Sequence, residues 1–266
     1  MLLRRIDNYF TVRMRKVNFF PKKQDTCLIY TEELCETELF NHLYIQTSAK
    51  NSVYFRILRS KPVLSLRSLF KTAIDTPDSS KEYLGIQKPD KVILFEMYHG
   101  KPVAVWRKDE NSAWESSSYL GNPLLSAYTV EEFENKKKKI QKALQFHWDS
   151  ITKDLSQIHG DLTHFNILVN EKEAVSFIDQ KSSDHSKLFD FFYFYAYLKQ
   201  CLDRCRTLSG ADNRSITKEL KTMVRIICTY DSQEELEVDL SSMNIPLING
   251  IRDLEGSIED FKSIFV

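Results

Sequence analysis

Three polar side chains between short apolar runs could together carry out phosphoryl transfer. Asp161 follows His159 and Gly160, Asn166 comes five residues later, and Asp179 lies thirteen residues beyond Asn166. This reaction needs one carboxylate to orient and deprotonate the attacking hydroxyl group. It also needs an amide oxygen and a second carboxylate to hold Mg²⁺ on the phosphates. The sequence therefore predicts Asp161 as the catalytic residue and Asn166 with Asp179 as metal ligands.

The same stretch allows two other interpretations. An Asp–Asn pair between strands is common in turns, because both side chains hydrogen-bond to nearby backbone groups. A turn, however, has no reason to place His, Asp, Asn and Asp at these four offsets. A hydrolase metal cluster is the second alternative, and it would use His159, Asp161, His164, Asp179 and His185. That cluster leaves Asn166 without a role.

The stretch also resembles a known catalytic loop. The aminoglycoside and choline phosphotransferases, relatives of the protein kinases, carry the pattern H-G-D-x-x-x-x-N, which residues 159–166 match. Their second pattern is I-D-[FW], and residues 178–180 are Ile-Asp-Gln, a departure at the third position. Asp190 stands where the family has a late aspartate at the start of an apolar helix. The resemblance covers about residues 90–198 and is specific at its centre.

The resemblance implies a fold and a division of the chain. The fold is α+β, bilobal and protein-kinase-like, with a small antiparallel-sheet N-lobe and a mainly helical C-lobe. The N-lobe would span residues 1–98 and the C-lobe residues 99–266. Periodicity independently predicts a strand over residues 9–17 and helices over most of residues 121–158.

In such a fold the last N-lobe strand leads into a hinge that binds the adenine edge of ATP. The resemblance assigns this cofactor contact to the backbone of Glu96, Met97 and Tyr98, and Gly100 would let the chain turn out of the strand. The same fold usually covers the phosphates with a glycine-rich loop. The first 84 residues contain no glycine, so that loop would be degenerate.

A basic residue should pair with the α- and β-phosphates. Lys16 is the preferred candidate, with Glu36 as its partner in a helix predicted over about residues 26–46, where acidic residues favour a helix start. Arg13 or Arg15 could take the place of Lys16. If the segment after Asp25 begins as a strand instead, that strand contains no lysine.

Composition limits the classes of partner. Lys plus Arg and Asp plus Glu number 37 each, which argues against a nucleic-acid partner and against general binding to membranes. The run Lys136–Lys139 would point around a helix, so a solvated surface is the default and guidance of an anionic substrate the alternative. Five irregularly spaced cysteines are typical of a reducing compartment and not of a disulfide framework. No targeting signal and no bilayer-spanning run stand out.

Together these observations predict a cytoplasmic phosphotransferase that uses ATP and Mg²⁺. Its acceptor would be a hydroxyl group of a sugar, an amino alcohol, an aminoglycoside or a glycan or lipid precursor, with peripheral membrane contact left open. A protein acceptor is less expected, because no activation segment ending in an Ala-Pro-Glu-type motif follows Asp179. The alternative is a pseudokinase that binds nucleotide or acts as a scaffold. The missing glycines favour it, and the intact set of Asp161, Asn166 and Asp179 opposes it.

Overall fold

The computed structural model describes residues 14–23, 26–30, 39, 72–110, 112–125, 128–181, 186–209, 214–243, 251 and 253–265. The described residues up to Tyr119 form one compact unit, and those from Leu120 onward form a second. Each unit contains its own antiparallel sheet, and the long helices belong to the second.

The first unit is built on a seven-stranded sheet. Its strands in chain order are β1 (Met14–Lys23), β2 (Thr26–Tyr30), β3 (Thr72–Asp75), β4 (Glu82–Gln87), β5 (Lys91–Tyr98), β6 (Lys101–Asp109) and β7 (Glu115–Ser118). Their order in space is β3-β1-β2-β4-β5-β6-β7, with every neighbouring pair antiparallel. The last four strands form a meander, whereas β1 is paired with both β2 and β3.

The core of this sheet lies between β4 and β5. Tyr83 and Leu94 are fully buried there. Partly buried apolar side chains pack against them: Val92, Trp106 and Trp114. Gly85 allows the close approach of the two strands, because a Cβ at that position would lie 2.2 Å from the carbonyl oxygen of Ile93.

The second unit combines a small sheet with helices. The strands β8 (Asn122–Pro123), β9 (Ile167–Val169) and β10 (Val175–Phe177) pair antiparallel in the order β10-β9-β8. The described helices are α1 (Val130–Ile151), α2 (Leu188–Ser209), α3 (Arg214–Ile227), α4 (Gln233–Ser242) and α5 (Leu254–Lys262). A single 3₁₀ turn, Leu155–Gln157, follows α1.

The helix α2 lies at the centre of the second unit. Its first half is apolar on all sides and almost entirely buried, as expected of a helix surrounded by other elements. It packs in one cluster with apolar side chains of α1, α3 and α5. Among the described residues, no helix combines the length and the apolar character needed to cross a bilayer.

The structure confirms the α+β fold class and changes two details. The helix predicted from residue 26 is wrong for Thr26–Tyr30, because these apolar and β-branched residues pair with β1 and β4. The predicted N-lobe boundary at residue 98 falls between β5 and β6. The sheet continues to Ser118, since β6 and β7 pair in turn with β5. Strand β1 overlaps the predicted strand from Met14 onward.

Candidate active site

The hairpin of β9 and β10 brings the two predicted metal ligands to the same end of a sheet. Ile167 and Phe177 are cross-strand partners, so the residues just outside them are neighbours. The N–H of Ile178 donates to the carbonyl of Asn166 at 3.0 Å. Because Asp179 follows Ile178 directly, this backbone hydrogen bond keeps Asp179 close to Asn166.

The side chain of Asn166 connects this hairpin to Asp161. Its amide Nδ2 donates to the backbone carbonyl of Asp161 at 2.8 Å. An amide group has separate donor and acceptor atoms, so this bond orients the side chain and leaves Oδ1 as an oxygen ligand. The structure therefore brings Asp161, Asn166 and Asp179 together within one loop and hairpin.

Asp179 has an unusual backbone. Its φ angle is 59°, in the left-handed region, where non-glycine residues are uncommon and typically cost about 1–3 kcal/mol. Such strain concentrates at functional sites. The carboxylate is exposed and has no hydrogen-bond or ion-pair partner among the described residues. Its oxygens are therefore available to a ligand.

Two side chains act on the carboxylate of Asp161. The Nζ atom of Lys181 lies 2.7 Å from Oδ2. Tyr193, on α2, is close enough for the carboxylate to act on its hydroxyl. Burial and the charge of Asp161 raise the pKa of Tyr193, so the phenol stays protonated. Asp161 therefore has a buried neutral phenol and an exposed cation as neighbours.

His159 braces the loop and stays neutral. Its Nε2 donates to the carbonyl of Ile178 at 2.8 Å, and its Nδ1 accepts from the N–H of Asp161 at 3.3 Å. One ring nitrogen thus acts as donor and the other as acceptor, which is the pattern of neutral imidazole. Burial lowers the pKa of His159 in the same direction. His159 therefore fixes Ile178, the residue before Asp179.

Asp190 anchors the loop to the helical core. Its fully buried carboxylate accepts the N–H of His159 at 2.6 Å and the N–H of Gly160 at 2.8 Å. It also lies 2.7 Å from Nε2 of His147, a buried histidine of α1. Gly160 has a φ of 73°, which a residue without Cβ adopts easily. Asp190 therefore ties the backbone of His159 and Gly160 to both α1 and α2.

Gln180 has a structural role. It stands at the third position of the motif that is I-D-[FW] in the phosphotransferases that the chain resembles. Its side-chain amide donates to the carbonyls of Ser156 at 3.3 Å and Ile158 at 3.1 Å. The next residue, Lys181, donates its backbone N–H to the carbonyl of His159 at 2.8 Å. The segment after Asp179 is thus fastened to the segment before Asp161.

His164 is a core residue. Its ring is fully buried and lies 3.0 Å from the hydroxyl of Tyr128. Burial lowers the pKa of His164 to about 3. The metal-hydrolase alternative needed this ring, and no group of three His, Cys, Asp or Glu residues within the described part of the chain could hold a metal ion. His185 lies outside the described residues.

The expected hinge is a hairpin turn. Glu96, Met97 and Tyr98 lie in β5, which pairs with β4 on one side and β6 on the other. The chain does turn out of β5 at Gly100, and residues 101–109 then return along it as β6. The assignment of the backbone of these three residues to the adenine edge stays a prediction.

The side chain of Glu96 is used inside the sheet. Its carboxylate lies 2.8 Å from Nζ of Lys81 and accepts the indole N–H of Trp106 at 3.0 Å. Lys16 lies in β1 opposite Ala73 of β3, and its side chain is not described. Glu36 lies outside the described residues. The phosphate-pairing roles of Lys16 and Glu36 stay predictions.

The lysine run of α1 and the nearby Lys142 pair with two acidic residues. Lys137 lies 2.7 Å from Glu219, whereas Lys139 and Lys142 both lie 3.9 Å from Glu173. This arrangement fits a solvated surface with scattered ion pairs and gives no support to a basic channel.

Comparison with known proteins bears on the same region. Residues 117–192 match the RIO domain, an atypical kinase family within the protein-kinase-like superfamily. The chain has a protein-kinase-like fold. The match implies an ATP-binding, kinase-like phosphotransferase and does not support the aminoglycoside and choline enzymes in particular. No curated protein and no solved structure matches the chain.

Sequence reasoning missed the residues that reach the loop from outside it. Tyr193 and His147 belong to helices, where an isolated polar residue in an apolar pattern carries no motif. Lys181 follows Asp179 by two residues, and its proximity to the predicted site was the one available signal. A buried histidine in α1 paired with a buried aspartate in α2 becomes visible only when the helices are packed.

Proposed function

We propose that this protein, with Mg²⁺ bound, transfers the γ-phosphoryl group of ATP to a hydroxyl group of a small molecule. The acceptor class is a sugar, an amino alcohol, an aminoglycoside or a glycan or lipid precursor. The observation that carries the proposal is the anchored set of Asp161, Asn166 and Asp179 at one end of the β9–β10 hairpin. The similarity to the RIO domain supports ATP-dependent phosphoryl transfer.

Each residue of the set has a distinct task. Asp161 orients the acceptor hydroxyl and receives its proton. The Oδ1 atom of Asn166 and the carboxylate of Asp179 are hard oxygen donors that suit Mg²⁺, and they would hold the ion. When bound, Mg²⁺ neutralises charge on the phosphates of ATP. Most of the rate enhancement would come from positioning and from fixed charges, because phosphoryl transfer requires little other help.

A short connection supports a small acceptor. Helix α2 begins at Leu188, so residues 180–187 are all that separates it from Asp179. This segment offers little length on which to bind an extended peptide. Kinases of the matched family phosphorylate proteins, including themselves. The experiment must therefore distinguish a protein acceptor from a small-molecule acceptor. We place the reaction in the cytoplasm, where ATP is available and thiols stay reduced.

The test is ADP release by the purified protein from Mg·ATP. The acceptors are N-acetylglucosamine, choline, kanamycin and diacylglycerol, and radiolabel transfer from γ-labelled ATP to the protein itself reports autophosphorylation. We expect one hydroxylated acceptor to stimulate ADP release above the rate with water. Asp161→Asn should lower that rate by about 10²–10⁴-fold, because the proton acceptor is lost. Asp179→Asn should lower it and raise the Mg²⁺ concentration needed.

The matched control is Asp149→Asn, which changes an exposed aspartate of α1 and should leave the rate within about twofold of wild type. Thermal stabilisation by Mg·ATP without ADP release, equal in wild type and Asp161→Asn, would establish the pseudokinase instead. Label transfer to the protein with no response to any acceptor would replace the small molecule by a protein substrate.

A further inference from the structure

Lys181 occupies a fixed backbone position beside the catalytic aspartate. Its N–H donates to the carbonyl of His159 at 2.8 Å, within the loop that carries Asp161. Its Nζ atom lies 2.7 Å from Oδ2 of Asp161. The backbone is thus held in place, while the long side chain ends at the carboxylate that has to bind the acceptor hydroxyl.

The ion pair between Lys181 and Asp161 is easily broken. The side chain of Lys181 is 67% exposed and that of Asp161 is 19% exposed. Pairs with one partner so exposed add little to folding stability, since water solvates the ammonium nearly as well. Stability therefore does not explain the pair, and the ammonium can leave Asp161 by rotating its side chain.

Tyr193 is the opposite kind of neighbour. It is buried in α2, and burial together with the charge of Asp161 raises its pKa, so its hydroxyl stays protonated. A phenol held in the core stays beside the carboxylate when the cation departs. Asp161 therefore has one permanent neighbour and one that can be exchanged.

We propose that Lys181 is a catalytic residue that moves from Asp161 to the γ-phosphoryl group when Mg·ATP and the acceptor bind. This inference rests on the proposed function. Negative charge on the oxygens of the transferring group must be neutralised, and Asp161 must be freed to accept the hydroxyl hydrogen bond. One rotation of the Lys181 side chain satisfies both needs. It also places a phosphate-contacting cation in the second unit, independent of Lys16.

The chemistry balances with Lys181 protonated throughout. The acceptor oxygen forms a bond to the γ-phosphorus, and the bond from that phosphorus to the bridging oxygen of the β-phosphate breaks. The electron pair of the broken bond leaves with ADP. The hydroxyl proton passes to Asp161. The ammonium of Lys181 donates hydrogen bonds to the γ-phosphoryl oxygens and neither gains nor loses a proton.

The test compares Lys181→Met and Lys181→Arg with Lys138→Met, which removes an exposed lysine of α1. ADP release is measured with Mg·ATP and the best acceptor of the panel, or as autophosphorylation if the protein is its own acceptor. We expect Lys181→Met to lower kcat by about 10²–10³-fold, with KM for ATP within about threefold. Lys181→Arg should recover at least about tenfold of that loss, because the charge is kept. Lys138→Met should match wild type.

Substitution of ATP by ATPγS gives a readout that a structural role would not move. If Lys181 contacts the γ-phosphoryl oxygens, its removal should bring the ratio of rates with ATP and ATPγS closer to one. The inference would be overturned if Lys181→Met kept the wild-type kcat. It would also be overturned if this variant had a lower KM for the acceptor and a higher kcat. A lower kcat with an unchanged ratio of the rates with ATP and ATPγS would overturn it as well. These results are interpreted only if the wild-type protein transfers phosphoryl groups. If the wild-type protein transfers none, the proposed function and this inference are both wrong.

Discussion

The two sheets of this protein are held together in different ways. The seven-stranded sheet of the first unit relies on long backbone ladders, and β5 pairs along its whole length with β6 and over residues 92–97 with β4. The small sheet of the second unit has strands of two or three residues. Ladders so short fix little by themselves. Its geometry depends on hydrogen bonds that the side chains of Asn166, His159 and Gln180 donate to backbone carbonyls. It also depends on the carboxylate of Asp190, which accepts from backbone N–H groups.

The difference shows where precision is needed. A ladder spreads its hydrogen bonds over many residues, so the loss of one side chain removes a small part of the whole. In the loop before β9, two backbone N–H groups and one histidine depend on a single buried carboxylate, Asp190. A fully satisfied buried polar network rigidifies the groups it connects and is costly when one member is lost. We therefore expect the two units to respond very differently to removal of one polar contact.

Asp190→Ala should have the largest effect on folding. The substitution leaves the N–H groups of His159 and Gly160 and the ring of His147 without their buried acceptor. Each buried polar group left without its hydrogen-bond partner typically lowers the free energy of unfolding by about 1–3 kcal/mol, and this substitution affects three such groups. ADP release should fall as well, since Asp161 follows Gly160 directly. Urea unfolding followed by tryptophan fluorescence measures the first effect and the ADP assay the second.

The control for Asp190→Ala is Asp149→Ala, which removes an exposed aspartate of helix α1 whose carboxylate accepts from Gln145. We expect it to change the free energy of unfolding by less than about 0.5 kcal/mol. Equal losses for the two variants would show that the loop does not depend on the buried carboxylate. The contrast between the two sheets would then have no energetic basis.

His164 makes the core beneath the loop sensitive to acid. Burial lowers its pKa to about 3, against 6.5 for the free side chain, so the unfolded chain binds a proton that the folded chain does not. Its contribution is fully present above about pH 6.5 and is lost as pH falls from there toward 3. Between pH 7 and pH 5 we expect this residue to remove about 2 kcal/mol from the free energy of unfolding.

Urea unfolding of wild type and His164→Gln at pH 7, 6 and 5 isolates this contribution. Glutamine can still bond to Tyr128 and does not titrate. The variant starts from a lower stability but should lose about 2 kcal/mol less than wild type over this range. His159 also has a lowered pKa and acts in the same direction in both proteins, so it cancels in the difference. Identical pH slopes for the two proteins would refute the assignment.

The proximity of Asp161, Asn166 and Asp179 could be predicted from the sequence because it is set locally. Asp161, Asn166 and Asp179 lie within 19 residues, and two short strands joined by a turn can bring them together only at one end. Tyr193 and His147 reach the same loop through the packing of α1 and α2. No spacing rule along the chain predicts contacts between helices that are set by the burial of their apolar faces.

The predicted hinge shows how a local prediction can leave the topology of the sheet open. The strand ending at Tyr98 and the turn at Gly100, whose φ is 74°, are both present. A glycine turn permits an exit from the sheet as well as a hairpin, and the choice depends on whether the next segment pairs. Residues 101–109 do pair, along the whole of β5. Likewise Thr26–Tyr30 form a strand because two partners are available.

Trp106→Phe tests the tolerant side of the comparison and should have the smallest effect. The indole N–H donates to Glu96 at 3.0 Å, and Glu96 keeps Lys81 when it is lost. Phenylalanine still packs on Tyr83 and Leu94, so the cost should be near that of one hydrogen bond, about 1 kcal/mol in urea unfolding. ADP release and KM for ATP should stay within about twofold, as in Trp114→Phe, whose indole bonds to Asp75. If Trp106→Phe alone raised the KM for ATP more than about tenfold (about 1.4 kcal/mol), the result would support the predicted role of Glu96 in nucleotide binding. It would also show that this part of the sheet is as sensitive as the β9–β10 hairpin.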